Sequence, residues 1–357
     1  MRKDMPNLTV ASLNHVLPYK PRPCMERIEF HKTGHDPQID YIKGLCILFV
    51  ILTHCMYREE LSNILFPYWG DTAVPIFLLI QVFHYYKRGN DVRMPKFKKL
   101  WKRIIMPYIL LVAITFALDY LVYYDNTSGR FDISLYWNKR GPGSYYIFIY
   151  LQFAFLLPLL APLFRKVSTK WLLILFLGAS QLIEIISSLT QCPDSIYRIT
   201  FFRYTFLIFL GYLLATKGLA VNKLTIILSI ISILFIYVFN YTTFDLQPWF
   251  CTNLSFWPLC HWICYIYIAY FFLWFLKSLH SKTKLPHKIT NFIEEMGQYS
   301  YEIYLFQIFY YSIPKLYILQ FISIFGHPIV ERLLYIMLSP LICLSIIPVI
   351  KLIKNKR

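Results

Sequence analysis

Asp40-Tyr-Ile-Lys43-Gly44-Leu-Cys-Ile-Leu-Phe-Val-Ile-Leu-Thr-His54 is the stretch that decides the fold. It is apolar throughout, except for ionisable residues at its start and a histidine at its end. Positions 40, 43, 47, 51 and 54 follow the helical period, so Asp40, Lys43 and His54 lie on broadly one face. At 1.5 Å per residue, His54 is roughly 21 Å along the axis from Asp40. An ionisable residue at that depth is costly in a membrane and is a candidate functional residue.

The composition is typical of an integral membrane protein. Of 357 residues, 57% are hydrophobic and only 15% are charged, whereas about a quarter of a soluble domain is charged. A net charge of +17 would suggest nucleic acid as the partner of a soluble protein. Here the basic residues cluster in short loops, which is typical of cytoplasmic membrane loops. We therefore expect contact with membrane lipids and no nucleic-acid partner.

Apolar segments divide the chain into ten predicted spans, each near the ~20 residues needed to cross the hydrocarbon core. Alternate loops are rich in lysine and arginine, and ten spans place all of these loops and both termini in the cytoplasm. The predicted fold class is therefore an all-α integral membrane bundle of about ten transmembrane helices. The spans are 38–57, 66–85, 104–124, 145–164, 171–190, 199–215, 224–241, 254–276, 298–319 and 331–350.

Three regions follow from this pattern. Residues 1–37 form a basic cytoplasmic tail, in which we expect no cleavable signal peptide because no apolar core segment occurs there. Residues 38–352 form one membrane domain, and 353–357 form a cytoplasmic tail. The eight cysteines follow no metal-binding pattern, so we expect no metal site. Cys192 and Cys251 fall in predicted outward loops, where a disulfide is one open alternative.

His54 is the first candidate for chemistry. A neutral imidazole can remove a proton from a hydroxyl near physiological pH, as general-base catalysis requires. The alternative is a histidine that only hydrogen-bonds to a neighbouring helix. Asp40 is too distant to contact His54 directly, and pairing with Lys43 at i,i+3 is an alternative role for it.

Two further segments carry candidate binding residues. Lys99, Lys102 and Arg103 lie on adjacent turns at the cytoplasmic start of span 3, where they could bind the phosphates of a nucleotide-containing donor. Their alternative roles are a topology signal and contact with anionic lipids. In span 9, Ser300, Tyr304 and Gln307 share a helical face with i, i+4 and i+7 spacing. Hydrogen bonds between helices are the alternative role for that face.

Together these segments resemble the type 3 membrane acyltransferase family over about residues 38–352. The resemblance rests on four segments in their order: Asp40, Lys43 and Gly44 followed by His54; Arg103-Ile-Ile-Met-Pro107-Tyr108; Arg203-Tyr204 with Phe209 and Gly211-Tyr212; and Ser300-Tyr301-Glu302-Ile303-Tyr304-Leu305. Three positions depart from the family pattern: Lys43 and Leu100 stand where many members carry arginine, and Gln307 stands where many carry histidine.

The resemblance implies a multi-pass enzyme of the bacterial plasma (inner) membrane. Such an enzyme moves an acyl group, usually acetyl, from cytoplasmic acyl-CoA to a hydroxyl of a surface glycan or lipid-linked sugar, without a bound cofactor. It implies His54 as general base, with a nucleophile that carries the acyl group as the alternative role. It also implies Asp40 and Lys43 at the donor entrance, and Lys99, Lys102 and Arg103 on the CoA phosphates. It also implies hydrogen bonds to substrate from Ser300, Tyr301, Tyr304 and Gln307, with Arg203 and the turn at 141–144 on the acceptor side.

Two other function classes share the predicted polar interior. A transporter or flippase for a glycolipid or polysaccharide precursor would make no covalent product. A structural component of an export machine would tolerate glutamine in place of His54, because glutamine keeps hydrogen bonding and loses titration. The pattern favours no particular oligomeric state.

Overall fold

A computed structural model describes residues 36–56, 60–61, 64–87, 95–123, 143–218, 222–242, 261–282, 286–312 and 327–355. All regular structure in these ranges is helical. The helices are α1 (Pro37–Cys55), α2 (Ala73–Lys87), α3 (Phe97–Leu100, Trp101–Ile105 and Met106–Tyr123 in succession), α4 (Tyr145–Lys166), α5 (Thr169–Leu189), α6 (Asp194–Ile199), α7 (Thr205–Lys217), α8 (Lys223–Tyr241), α9 (Trp262–Ile266, Tyr267–Phe272 and Leu273–Lys282), α10 (His287–Gln298), α11 (Ser300–Ser312), α12 (Pro328–Leu344) and α13 (Ile346–Asn355). Short 3₁₀ turns at Phe66–Tyr68 and Phe201–Tyr204 precede α2 and α7.

Eight stretches of the described chain are long and apolar enough to cross a membrane. Eight of the ten predicted spans correspond to them. The predicted spans 199–215 and 298–319 correspond instead to the shorter helices α7 and α11. The described part of the chain is thus all-helical and typical of a multi-pass membrane protein, while the count of ten and the cytoplasmic termini stay predictions. The last helix continues to Asn355, through residues assigned above to a tail.

The central packing contact joins α1 to α10, a short amphipathic helix that the span pattern does not include. A Cβ at Gly44 would lie 2.0 Å from the backbone oxygen of Ile293, and a Cβ at Gly297 would lie 1.7 Å from that of Asp40. Each helix therefore presents a glycine to the backbone of the other. This close approach fixes α10, and with it the start of α11, against the first turns of α1.

The helices α1 and α2 run in opposite directions. Asp36 caps the start of α1 by accepting a hydrogen bond from Gln38 N, and its charge acts on Lys87 at the end of α2. We call this side of the bundle the basic end. His54, at the other end of α1, marks the opposite side, which we call the His54 end.

Two π-helical segments have identifiable causes. In α3, Pro107 has no N–H to donate to the carbonyl of Arg103, and Met106 N bonds to Trp101 O, which widens the turn. In α9, the hydroxyl of Ser232 from α8 replaces one helical hydrogen bond. It donates to Ile263 O at 2.7 Å and accepts from Tyr267 N at 3.3 Å. Side-chain insertion of this kind is a recognised cause of helix distortion.

The α1–α10 crossing predicts that one methyl group added at Gly297 destabilises the protein. We expect Gly297→Ala to lower the free energy of unfolding by about 1–3 kcal/mol, because backbone atoms of Asp40 occupy the space of the new Cβ. Gly178→Ala on α5 is the matched control, since a Cβ there meets nothing within 4 Å. Thermal unfolding in detergent measures both, and equal melting temperatures would contradict the crossing.

The serine bridge predicts a difference between two buried serines on one helix. Ser232→Ala should cost about 1–3 kcal/mol, because Ile263 O and Tyr267 N lose their partner in the interior. Ser229→Ala is the control: its hydroxyl is equally buried but bonds to no described residue. Similar losses in the two variants would rule out a specific bridging role for Ser232.

Candidate functional site

A cavity of ≈ 1190 Å³ runs along one side of α1. Most of its wall comes from α1, α2, α3, α4, α11 and the turn before α7, with single residues from α6, α10 and α13, and its lining includes residues of both ends of the bundle. From α1, the residues on the wall are Lys43, Ile47, Val50, Thr53 and His54. Their spacing is that of one helical face, as the sequence predicts for Lys43 and His54.

The basic end of the cavity carries a concentration of positive charge. Its cationic lining residues come from three helices and the residue before α3: Lys43, Lys96, Lys99, Arg103 and Lys354. Two of these have acidic neighbours, since Lys43 Nζ lies 2.5 Å from Asp40 Oδ1 and Lys354 Nζ lies 3.7 Å from Glu302 Oε1. The positive charges still outnumber the negative ones among the described residues of this end, so it suits a polyanionic group.

At the His54 end, a glycine turn lies directly against the imidazole. Gly143 has φ of +87°, a conformation that glycine adopts readily. A Cβ at this position would lie 3.4 Å from His54 Nε2. The Tyr304 hydroxyl donates to Gly143 O at 2.6 Å, and the Tyr311 ring lies edge-on to His54 with 6.0 Å between centroids. The half-buried imidazole is therefore enclosed by α11 and the start of α4 while it faces the cavity.

Arginines also line the cavity at this end. Arg203 lies in the 3₁₀ turn before α7, and its charge acts on the Asp71 carboxylate, which lines the same wall. Arg198 of α6 is a further lining residue, with its guanidinium carbon 5.5 Å from the ring centroid of Tyr145. Carboxylate, guanidinium and tyrosine side chains can bind hydroxyl-rich ligands by hydrogen bonds and ring contacts.

Eight of the eleven predicted site residues line this cavity. Lys99, Arg103, Ser300, Tyr301 and Tyr304 line it together with Lys43, His54 and Arg203. Tyr301 is held by a 2.6 Å bond from its hydroxyl to Ile104 O. Lys102 is exposed and does not line the cavity, and neither does Gln307, which is fully buried. Asp40 is 6% exposed and is paired with Lys43 rather than placed on the wall.

Sequence reasoning missed part of the α2 wall. Val74, Phe77, Gln81, His84 and Tyr85 line the cavity at helical spacing, which a closer reading of periodicity in this span would have detected. Arg198 and Lys354 were also missed, and neither stands in a pattern that would have singled it out.

No group of three or more potential metal ligands occurs in the described ranges. The described cysteines, Cys46, Cys55, Cys192, Cys264 and Cys343, carry free thiols. Cys251, the suggested disulfide partner of Cys192, lies outside the described residues. A second polar cluster stands apart from the cavity: Glu184 Oε2 lies 3.4 Å from His261 Nε2, and His261 Nδ1 accepts from Ile263 N at the start of α9.

Comparison with known proteins assigns the chain to a family. No curated protein and no solved structure matches it. A family model described as an acyltransferase domain matches residues 36–350. That range contains α1 with His54, the Gly143 turn and the tyrosines of α11. The chain therefore belongs to the acyltransferase 3 family and is a membrane acyltransferase.

Proposed function

We propose that this acyltransferase moves an acyl group, with acetyl as first choice, from cytoplasmic acyl-CoA to a hydroxyl of a cell-envelope glycan or lipid-linked sugar. The proposal places it in a bacterial plasma membrane with its basic end facing the cytoplasm. One observation carries it: a single cavity has a polycationic lining at one end and a half-buried histidine at the other. Two substrates that enter from opposite sides can meet in such a cavity.

The donor is assigned from the charge of the basic end. Acyl-CoA carries several phosphate charges at one end of the molecule and an apolar, amide-containing arm at the other. Lys96, Lys99 and Arg103 can bind these phosphates by charge-assisted hydrogen bonds. The arginine lies in the π segment of α3, and such segments are frequent at functional sites. The thioester then extends along the cavity towards His54.

His54 acts as general base in a direct transfer. Its imidazole accepts the proton of the acceptor hydroxyl, and the hydroxyl oxygen attacks the thioester carbonyl to form a tetrahedral intermediate. Collapse breaks the carbon–sulfur bond. The thiolate leaves and takes up the proton from the imidazolium, which gives CoA and the acylated product. Gly143 and Tyr304 position the imidazole but take no proton in this scheme.

The acceptor is assigned from the side chains at the His54 end. Asp71 and Arg203 offer an acceptor and several donors of hydrogen bonds, as the hydroxyls of a sugar require. The ring of Tyr145, which lines the same region, offers an apolar face for a sugar ring. These features support a glycan better than an apolar acceptor.

Transport without chemistry is the second candidate, because a cavity that extends between the two ends also suits a flippase. The two candidates differ in covalent product. In inside-out membrane vesicles with radiolabelled acetyl-CoA, the proposed enzyme incorporates label into envelope glycan. Incorporation at background level, with folded protein and with acetyl-CoA and succinyl-CoA both supplied, would favour transport.

Replacement of His54 should remove transfer without unfolding the protein. We expect His54→Ala and His54→Gln to lower the transfer rate by about 10²- to 10⁴-fold, the contribution of a general base. Glutamine is the more informative variant because it keeps hydrogen bonding and loses titration. Label incorporation and the melting temperature are measured together. A folded His54→Gln variant with normal turnover would refute the assigned role.

Replacement of two neighbouring basic residues of α3 should have different effects on the KM for the donor. Arg103→Gln should raise the KM for acyl-CoA by about 10- to 100-fold, since a charge-assisted hydrogen bond contributes about 1.5–3 kcal/mol. Lys102→Gln removes the same charge one residue away, from a side chain that does not line the cavity. Its KM should change little. Equal effects of the two variants would indicate general attraction by the membrane-surface charge instead of a phosphate site.

A further inference from the structure

Two polar atoms in the middle of the cavity wall have no hydrogen-bond partner among the described residues. They are Oε1 of Gln81 and the hydroxyl of Tyr85, both shielded from solvent. The two residues are one turn apart on α2 and both line the cavity. A buried polar atom without a partner is costly to the folded protein. Because both residues line the cavity, a ligand bound there is the candidate source of the missing bonds.

The orientation of the Gln81 amide follows from its other contact. Its Nε2 donates to the backbone oxygen of Tyr150 at 3.0 Å. Because a carbonyl oxygen can only accept, the nitrogen must face Tyr150, and Oε1 is the atom left as an acceptor. The Tyr85 hydroxyl can donate or accept. The wall thus offers one acceptor and, roughly 6 Å further along α2, one donor.

These groups lie between the two ends of the cavity. Tyr150 is seven residues along the chain from Gly143, so Gln81 is roughly 10 Å along the bundle from the turn beside His54. Tyr85 is one turn closer to the basic end, where the charge of Arg165 in the last turn of α4 acts on it. A chain that joins phosphates at the basic end to a thioester at His54 must pass Tyr85 first and Gln81 second.

We propose that Gln81 and Tyr85 bind the two amides of the pantetheine arm of the donor, an inference that rests on the proposed function. The arm holds two secondary amides joined by a β-alanine unit, roughly 5 Å apart in extended form. Gln81 Oε1 accepts from the N–H of the amide nearer the thioester. The Tyr85 hydroxyl donates to the carbonyl of the farther amide. The rest of the arm contacts apolar side chains such as Phe77 and Ile80.

A series of shortened donors tests each contact separately. Acetyl-CoA and S-acetylpantetheine carry both amides, whereas S-acetyl-N-acetylcysteamine carries only the amide nearer the thioester. We expect Tyr85→Phe to raise the KM about 3- to 10-fold for the first two donors and to leave that of the third unchanged. Gln81→Met, which keeps the side-chain length but loses the acceptor, should raise the KM for all three.

Tyr86→Phe is the matched control. Tyr86 is the next residue of α2 and does not line the cavity, and its hydroxyl already has a partner in the protein, Leu157 O at 3.4 Å. The KM of the Tyr86→Phe variant should stay at the wild-type value for every donor. Melting temperatures are recorded for all variants. Unchanged KM values in Gln81→Met and Tyr85→Phe, or an equal rise in all three variants, would overturn the inference. Failure of the wild type to form product with any donor would instead overturn the proposed function.

Discussion

The crossing of α1 and α10 is the contact on which the site depends. With glycine at 44 and 297, the two backbones approach more closely than any side chain would permit. The crossing holds the end of α10 at Asp40, and only Tyr299 separates α10 from α11. It therefore sets where Ser300, Tyr301 and Tyr304 enter the cavity relative to His54. A membrane supplies no hydrophobic force between helices, so close packing of small residues is the expected source of such a fixed geometry.

The sequence identified site residues best where a side chain is energetically unfavourable in a membrane. Ionisable residues inside apolar helices are few, and His54, Lys43 and Arg203 were found on that basis; all three line the cavity. The eight long apolar stretches were also predicted from the sequence, because hydropathy and the positive-inside pattern are strong signals. Amphipathic α10 was missed, since it carries too many polar residues to register as a span, although its glycine is central to the packing.

Register within a helix was harder to read. Lys102 lies between two cavity-lining positions in sequence, at 99 and 103, yet it does not line the cavity because adjacent helical residues are about 100° apart. Gln307 shares a helical face with Tyr304 but lies deeper in the bundle, where it is fully buried. The α2 wall was missed because Gln81 and Tyr85 are uncharged and look like ordinary span residues. Only the tertiary structure reveals that their polar atoms are without partners.

One feature of α11 links the two ends of the cavity mechanically. Tyr301 is hydrogen-bonded to Ile104 in the π segment of α3, and Tyr304, one turn later, is hydrogen-bonded to the Gly143 turn. A displacement of α3 as its arginine closes on a phosphate would pull on the first tyrosine, and α11 would carry the movement to the glycine beside His54. On the proposed function, α11 with these two hydrogen bonds would couple donor binding at the basic end to the position of His54.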